Sequence, residues 1–496
     1  MFKPTRIKSD LGSVFGVDLR SLGAFRIVLG ALILTDLALR ARFLEYYLSD
    51  AGPFPRHAIP YVPILRSLFF LSGDVAMQAV LYGGLVIVTL MFTIGYKTRS
   101  ATVATWFLFA SLHSRCPMVL DGQDYLPLQF LIWSMFLPMG ACYSIDAMRR
   151  KSLESDSPCL SPASAAILLQ LIAMYTVTGL AKSGSSWADG TALWRSLGSD
   201  DWVMPLGAWL RQDYSLTKVL SRVVLWFELL APLAFLVPFK QNLIRAVAIP
   251  AFLFFQIGIA LSINLRLFPW MSTAGLLLFI PGAWWDRLGS RSRPREADEA
   301  ELPAEPRGGS RRSVVIAREL VVVSLMILAV IQALDCIARN RSISHLASSS
   351  VPNALARQIG ATQNWNMYAP DPGSHEFRIK VAGIQEGRRV IDMLDTPGAT
   401  AWKKAKGFHR TYRFQYYLEQ LFVRRDSHPE LLDVYLHWIC SEWHASANPE
   451  DRIDAARFFA EVRDLRPVER QPSNMVFVSQ YLCFPDTEST STLNAK

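Results

Sequence analysis

The sequence predicts a mainly α protein: a polytopic helical membrane bundle of about nine transmembrane helices, with a small α+β extramembrane C-terminal domain. Three observations predict it. Apolar runs of membrane-spanning length recur as far as residue 335. The loops between them alternate between rich and poor in Lys and Arg. Past residue 340 the long apolar runs give way to short alternating and amphipathic segments. Of the 496 residues, 51% are apolar, and mean hydropathy is +0.21, above what a soluble chain of this length carries.

Residues 1–20 form a basic, cytoplasmic N-terminus. A spanning helix needs about 20 mostly apolar residues. Such segments stand at 21–40, 75–95, 100–115, 124–143, 161–182, 218–237, 243–261 and 266–282, with a last transmembrane helix at 314–335. The first is followed by Arg40, Arg42 and Phe43 rather than a small-residue cleavage site, so it reads as a signal anchor. Ile64 to Leu71 is too short to span and reads as interfacial or re-entrant. Two long loops, 41–74 and 183–217, are rich in Trp, Tyr, Pro and Gly. They can lie on the membrane surface or fold over a cavity mouth. Residues 286–313, with Pro294, Pro303 and Pro306 and no apolar period, read as a disordered cytoplasmic linker after the membrane domain of 21–285.

The net charge of +9 follows the loops. Lys3, Arg6, Lys8 and Arg20 precede the first segment, Lys97 and Arg99 follow the second, and Arg149, Arg150 and Lys151 follow the fourth. Lys240 and Arg245 follow the sixth, and an Arg-rich stretch from Arg287 to Arg312 follows the eighth. This is the positive-inside pattern of a chain with its N-terminus in the cytoplasm. It puts residues 340–496 on the outer face, periplasmic or lumenal. Basic charge is thus a topology signal, and the reading contains no nucleic-acid partner.

In the C-terminal region, Phe377, Ile379 and Val381 alternate with Arg378 and Lys380, as in a strand. Glu386-Gly387 can turn it back into a second strand through Val390 and Met393. Ser427 is placed to cap one helix before Pro429, and Asn448 to cap another ahead of Pro449, Glu450 and Asp451. Met475 to Leu482 reads as a final strand. Cys440 and Cys483 lie where disulfides persist, although spacing alone leaves the pairing open. His437, Cys440 and His444 share a helix face and can ligate zinc. A packed face with a half-cystine is the plainer reading, and no metal is expected.

Charges inside the spans define the candidate site, because a mid-bilayer charge costs at least a few kcal/mol and normally faces a partner or a wet cavity. Arg26 and Asp36 are ten residues apart on one helix, too far to pair with each other. Glu228 lies mid-span, either as a partner of Arg26 or protonated within the bundle. Lys182 closes the fifth span, where it either snorkels to headgroups or acts as a base. Asp36, His113, Arg115, Asp121, Gln123, Asp124, Lys182 and Arg266 all fall in the outer third, which suggests a polar cavity open to that side.

Several segments carry a resemblance: "LGAFRIVLGALILTDLALR" at 22–40, "YYLSDAGPFPRHA" at 46–58, "DGQDYLPLQFLIWSMFLP" at 121–138, "QLIAMYTVTGLAKSGSSWADGTALW" at 170–194, "WFELLAPLAFLVP" at 226–238, "FFQIGIALSINLRLFPW" at 254–270 and "NWNMYAPDP" at 364–372. Together they resemble the HTTM (horizontally transferred transmembrane) family, whose best-understood member is the vitamin K-dependent gamma-carboxylase. The resemblance covers roughly residues 15–285. It implies base-triggered oxygenation of a quinol, vitamin K hydroquinone or another, coupled to carboxylation of an exported peptide glutamate. By that likeness Gly179-Leu180-Ala181-Lys182 and Trp187-Ala188-Asp189-Gly190 make Lys182 the catalytic base, the one catalytic position the resemblance carries over. Asp36, Asp121, Gln123, Trp187 and Glu228 are the candidate substrate-binding residues. Two departures stand out: Gln123 occupies the place of a functional histidine, and Gln256 that of a histidine common in later spans. Gln123 can hydrogen-bond but cannot relay a proton. The alternative readings are a non-catalytic scaffold or maturation factor for exported peptides and, less favoured, a transporter. Membrane lipid is a partner in every case.

Overall fold

Capping residues and apolar runs together set the helices. The computed structural model describes residues 4–59, 68–150, 158–288, 309–341, 350–385, 389–394, 407–408, 410–446, 452–465 and 472–483. Helix α1 (Pro4–Phe15) precedes α2 (Leu19–Ala41), where Asp18 accepts from the Arg20 N–H. The short α3 (Leu44–Leu48) lies in the first long loop. Helix α4 (Val75–Ile94) is capped by Asp74, accepting from the Met77 N–H. It stops at Gly95, whose φ of 71° turns the chain toward α5 (Thr98–Arg115). A reciprocal box of Asp121 and Asp124 starts α6 (Gly122–Ser134), and α7 (Ile145–Arg149) follows. A second box, Ser161 with Ser164, starts α8 (Pro162–Ala181). The second long loop holds α9 (Ser185–Asp189), α10 (Ala192–Ser196) and α11 (Pro205–Leu210). Then come α12 (Tyr214–Leu230), continued as 3-10 turns to Leu236, α13 (Gln241–Ser262), α14 (Phe268–Leu276), α15 (Gly282–Arg287), α16 (Gly309–Asn340) and α17 (Ser350–Ile359).

Six described helices are long and apolar enough to cross a membrane: Leu19–Ala41, Val75–Ile94, Pro162–Ala181, Tyr214–Leu236, Gln241–Ser262 and Ser313–Asn340. The other three predicted spans also fall on helices, but shorter or more polar ones: α5, α6, and α14 with its 3-10 extension to Phe279. The fourth predicted span overran. Helix α6 ends at Ser134, and the following turns are pinned by Arg26, which donates to the carbonyls of Met139 (2.8 Å), Cys142 (3.4 Å) and Tyr143. Arg26 is fully buried and held by these carbonyl dipoles, so Glu228 is not its partner. Helix α8 is the axle of the bundle: 72% of its apolar window is buried, against 11% for α16, which therefore lies at the periphery. Helices α6, α12, α14 and α16 all pack on α8.

The C-terminal region is α+β. Strands β1 (His375–Gln385), β2 (Arg389–Asp392), β3 (Ala455–Asp464) and β4 (Asn474–Leu482) form an antiparallel sheet of order β2-β1-β3-β4. Helices α18 (Tyr412–Arg424) and α19 (Pro429–Ser446) lie between β2 and β3 in sequence. The expected Glu386-Gly387 turn, the Asn448 cap, most of the 286–313 linker and the first half of Ile64 to Leu71 lie outside the described residues. The helix expected after Asn448 is instead the central strand β3, paired on both sides, with Ala456, Phe458 and Ala460 buried in alternation. Pairing to two neighbours outweighs the local capping signal there. The Ser427 hydroxyl donates to the Arg424 carbonyl (3.1 Å). Cys440 is joined to Cys483, so its sulfur is no thiolate ligand. His437 meets the Tyr481 hydroxyl, and His444 the backbone of Ile453.

The two long loops of the membrane domain carry this region. Tyr46, Tyr47 and Phe54 pack on Phe408, Trp438 and Tyr417 at ring distances of 4.6–5.6 Å. From the second loop, Trp202 donates to Glu419 (2.9 Å), and Asp200 pairs with Arg463 (3.1 Å). Burial pushes the Glu419 carboxyl up to about 8 against the Trp202 hydrogen bond, with the charges of Asp201 and Glu376 adding to it. That lies above the ordinary 4.5 of the unfolded chain, so the folded state holds an extra proton between those pH values. Stability contributed here is full below pH 4.5 and is lost as pH rises toward 8. Thermal unfolding of the wild type should therefore decline across that window more steeply than that of Glu419→Gln. Parallel curves for the two proteins would rule the assignment out.

Candidate active site

The end of α8 sets the first cluster. A Cβ on Gly179 would come within 3.0 Å of the Leu229 side chain, so glycine lets α8 approach α12 closely, next to Glu228. The chain leaves the helix at Lys182, whose N–H donates to the Gly179 carbonyl (3.3 Å). The Lys182 ammonium pairs with Glu228 Oε2, and both side chains are under a tenth exposed. The Trp187 ring centroid lies 4.4 Å from Lys182 Nζ, a cation–π contact that covers the amine. Trp187 Nε1 in turn donates to the Tyr368 carbonyl (2.9 Å), and Asp371 accepts from the Ser186 N–H (2.9 Å). A Cβ on Gly184 would lie 2.0 Å from the Asp371 carboxylate. The 364–372 segment is thus a wall of the Lys182 site, although it lies far along the chain.

Deeper in the bundle, Tyr175 sits seven residues before Lys182 on the same face of α8, about 10 Å away along the helix. Gln256 Nε2 donates to the Tyr175 hydroxyl (2.6 Å), while Gln256 Oε1 is buried with no hydrogen-bond partner among the described residues. Beside this stands an amide network that sequence reasoning missed. Gln363 donates to Gln129 (3.1 Å) and Gln170 (3.0 Å), and accepts from Gln170 (2.8 Å) and Trp365 (2.6 Å). The available signal was two glutamines, Gln129 and Gln170, within apolar spans.

The second cluster is a buried charge lattice. Asp36 accepts from Arg40 Nε (2.8 Å) and Arg413 Nη2 (2.6 Å). Asp124 accepts from Arg40 Nη2 (2.5 Å) and, through both oxygens, from Arg413 (2.6 and 2.9 Å). His113 Nε2 lies 3.3 Å from Asp124 Oδ1. The four formal charges balance, which is the condition for such burial. Burial works against the Arg413 charge, but Asp124 and Asp36 outweigh it and hold the guanidinium well above its ordinary value. Asp121 caps α6 and receives the Gln123 amide (3.1 Å), while Gln123 Oε1 accepts from the Leu267 N–H (3.2 Å). Burial, then the Asp124 charge, push the Asp121 carboxyl up to about 6.

Of the expected site residues, the structure brings Lys182, Glu228 and Trp187 together. Asp36, Asp121 and Gln123 belong to the lattice and its flank, and none of their described bonds reaches Lys182. Arg115 instead holds the first long loop through the Ser49 (3.1 Å) and Phe54 carbonyls, and the Arg266 guanidinium lies 5.6 Å from the Tyr412 ring centroid.

Fold and site define a multi-pass helical membrane protein with a buried lysine–glutamate pair at a helix end and a small α+β domain seated on its loops. The family model of the HTTM domain matches residues 16–284, more than half of the chain, so the chain belongs to the HTTM family. No curated protein and no solved structure matches it.

Proposed function

We propose that this HTTM protein is a membrane-embedded enzyme in which Lys182 is the base and Glu228 its proton partner. The observation that carries the reading is the buried Lys182–Glu228 pair under the Trp187 ring. A proton passing from the ammonium to the carboxylate leaves a neutral amine beside a neutral acid, so no net charge is created in a poorly solvated place. The amine is then free to take a proton from a hydroxyl, and the acid holds the one displaced. The substrate class is a quinol-like lipid together with an exported peptide, in carboxylation- or epoxidation-type chemistry. The unpartnered Oε1 of Gln256 fits a quinol hydroxyl, with Tyr175 beside it. A bound quinol would supply oxidisable hydroxyls to the base. In this reading the N-terminus is cytoplasmic, and the C-terminal domain lies on the outer face with the Lys182 site beneath it.

A second reading has its own observation in favour. Lys182 is paired with Glu228, and both ends of the Gln123 amide make structural bonds. Such a protein is a scaffold or maturation factor for exported peptides, with the pair as a structural lock. Incubating the purified protein with a naphthohydroquinone, a glutamate-containing peptide, bicarbonate and dioxygen separates the two. Oxidised quinone and labelled peptide are expected from the enzyme, and their absence leaves the scaffold. For orientation, an impermeant maleimide should label Lys380→Cys in intact cells, and labelling only after lysis reverses the topology.

A further inference from the structure

A cavity of about 300 Å³ lies between the ends of α5 and α6, helices α16 and α17, and residues 360–364. That volume is at the small end for ligand sites. Its lining is graded. His113, Gln332 and Gln363 are 1–3% exposed, whereas Arg339 and Arg357 are exposed. Arg339 also pairs with Asp335 at 3.0 Å, and Gln332 donates to Asn353 (2.8 Å). The decisive atom is His113 Nδ1. His113 Nε2 faces Asp124 and Arg40, and Nδ1 has no hydrogen-bond partner among the described residues. A buried polar atom left in this state is costly, so a ligand that reaches it is favoured.

We propose that this cavity binds a glycerol-phosphate group, the headgroup of an anionic hydroxylated phospholipid of the phosphatidylglycerol class. The phosphate lies at the mouth between Arg339 and Arg357, where guanidinium geometry suits it. A glycerol hydroxyl reaches His113 Nδ1. A hydroxyl can donate or accept, so it satisfies that nitrogen in either ring tautomer. A choline or ethanolamine headgroup would bring a cation against the two arginines and lacks that hydroxyl. Helix α16, one wall of the cavity, is the peripheral span, and this favours a lipid as the source of the phosphate.

The full-length protein in mild detergent, offered phosphatidylglycerol, phosphatidylcholine or soluble glycerol 3-phosphate, tests this by native mass spectrometry. One phosphatidylglycerol should remain bound per chain and no phosphatidylcholine. The double variant Arg339→Gln/Arg357→Gln should lower retention at least tenfold, and His113→Phe should lower it too. Both arginines are exposed, so the double variant carries the test if His113→Phe fails to fold. Equal retention of the two lipids, or unchanged retention in the double variant, overturns the proposal. Displacement of the lipid by millimolar glycerol 3-phosphate assigns the site to a soluble phosphate ester and overturns the lipid assignment. The readout does not depend on catalysis at Lys182.

Discussion

Lys182→Ala, with Glu228 left in place, is expected to destabilise the protein by about 3–5 kcal/mol, because it strands a buried carboxylate without a cation. Loss of activity in that variant therefore says little about chemistry. The informative protein is Lys182→Met/Glu228→Leu. Replacing a buried ion pair by apolar side chains of similar volume is often neutral or stabilising, so its thermal unfolding should match or exceed the wild type. Quinol turnover in it should fall by about 10²- to 10⁴-fold, the usual contribution of a positioned base. Turnover retained in a stable double variant sinks the base assignment. Wild-type stability in Lys182→Ala sinks the buried pair itself. If the pair is only a lock, the double variant keeps whatever function the cell requires of the protein.

Arg413→Ala is expected to be the most destabilising single change, at about 5 kcal/mol, the upper end for a broken buried pair. Arg413 bridges two acids, and without it Asp36 and Asp124 share Arg40 alone. It is also the one described member of the lattice contributed by the C-terminal region, so its loss unties that region from α2 and α6. Thermal unfolding in detergent should shift down. Limited proteolysis should cut within 340–496 at temperatures where the wild type resists. Arg413→Lys keeps the charge but loses the fork that reaches both carboxylates, and should fall between the two. If Arg413→Ala melts and resists protease as the wild type does, the lattice is not what couples the two parts.

Much of the fold was legible in local pattern. Apolar length placed every helix of the membrane domain that is long enough to span. The alternation at Phe377–Val381 and at Met475–Leu482 placed β1 and β4. The 448–464 stretch was misread because Asn-Pro-Glu-Asp is a good helix start, and only pairing with β1 and β4 makes the following residues a strand. Helix α18 was not foreseen, and it supplies Arg413.

By itself the sequence determined that the chain crosses a lipid bilayer several times, where most of the membrane helices lie, and which few polar groups had to be reckoned with. Those are properties of single residues and short windows, namely hydropathy, periodicity and caps. The tertiary structure decided who pairs with whom: Glu228 with Lys182 rather than Arg26, Asp36 and Asp124 with an arginine from the far end of the chain, and Trp187 with the 364–372 segment. A buried charge specifies that it needs a partner but not which one. That choice follows from which helix faces abut, and no local pattern encodes it.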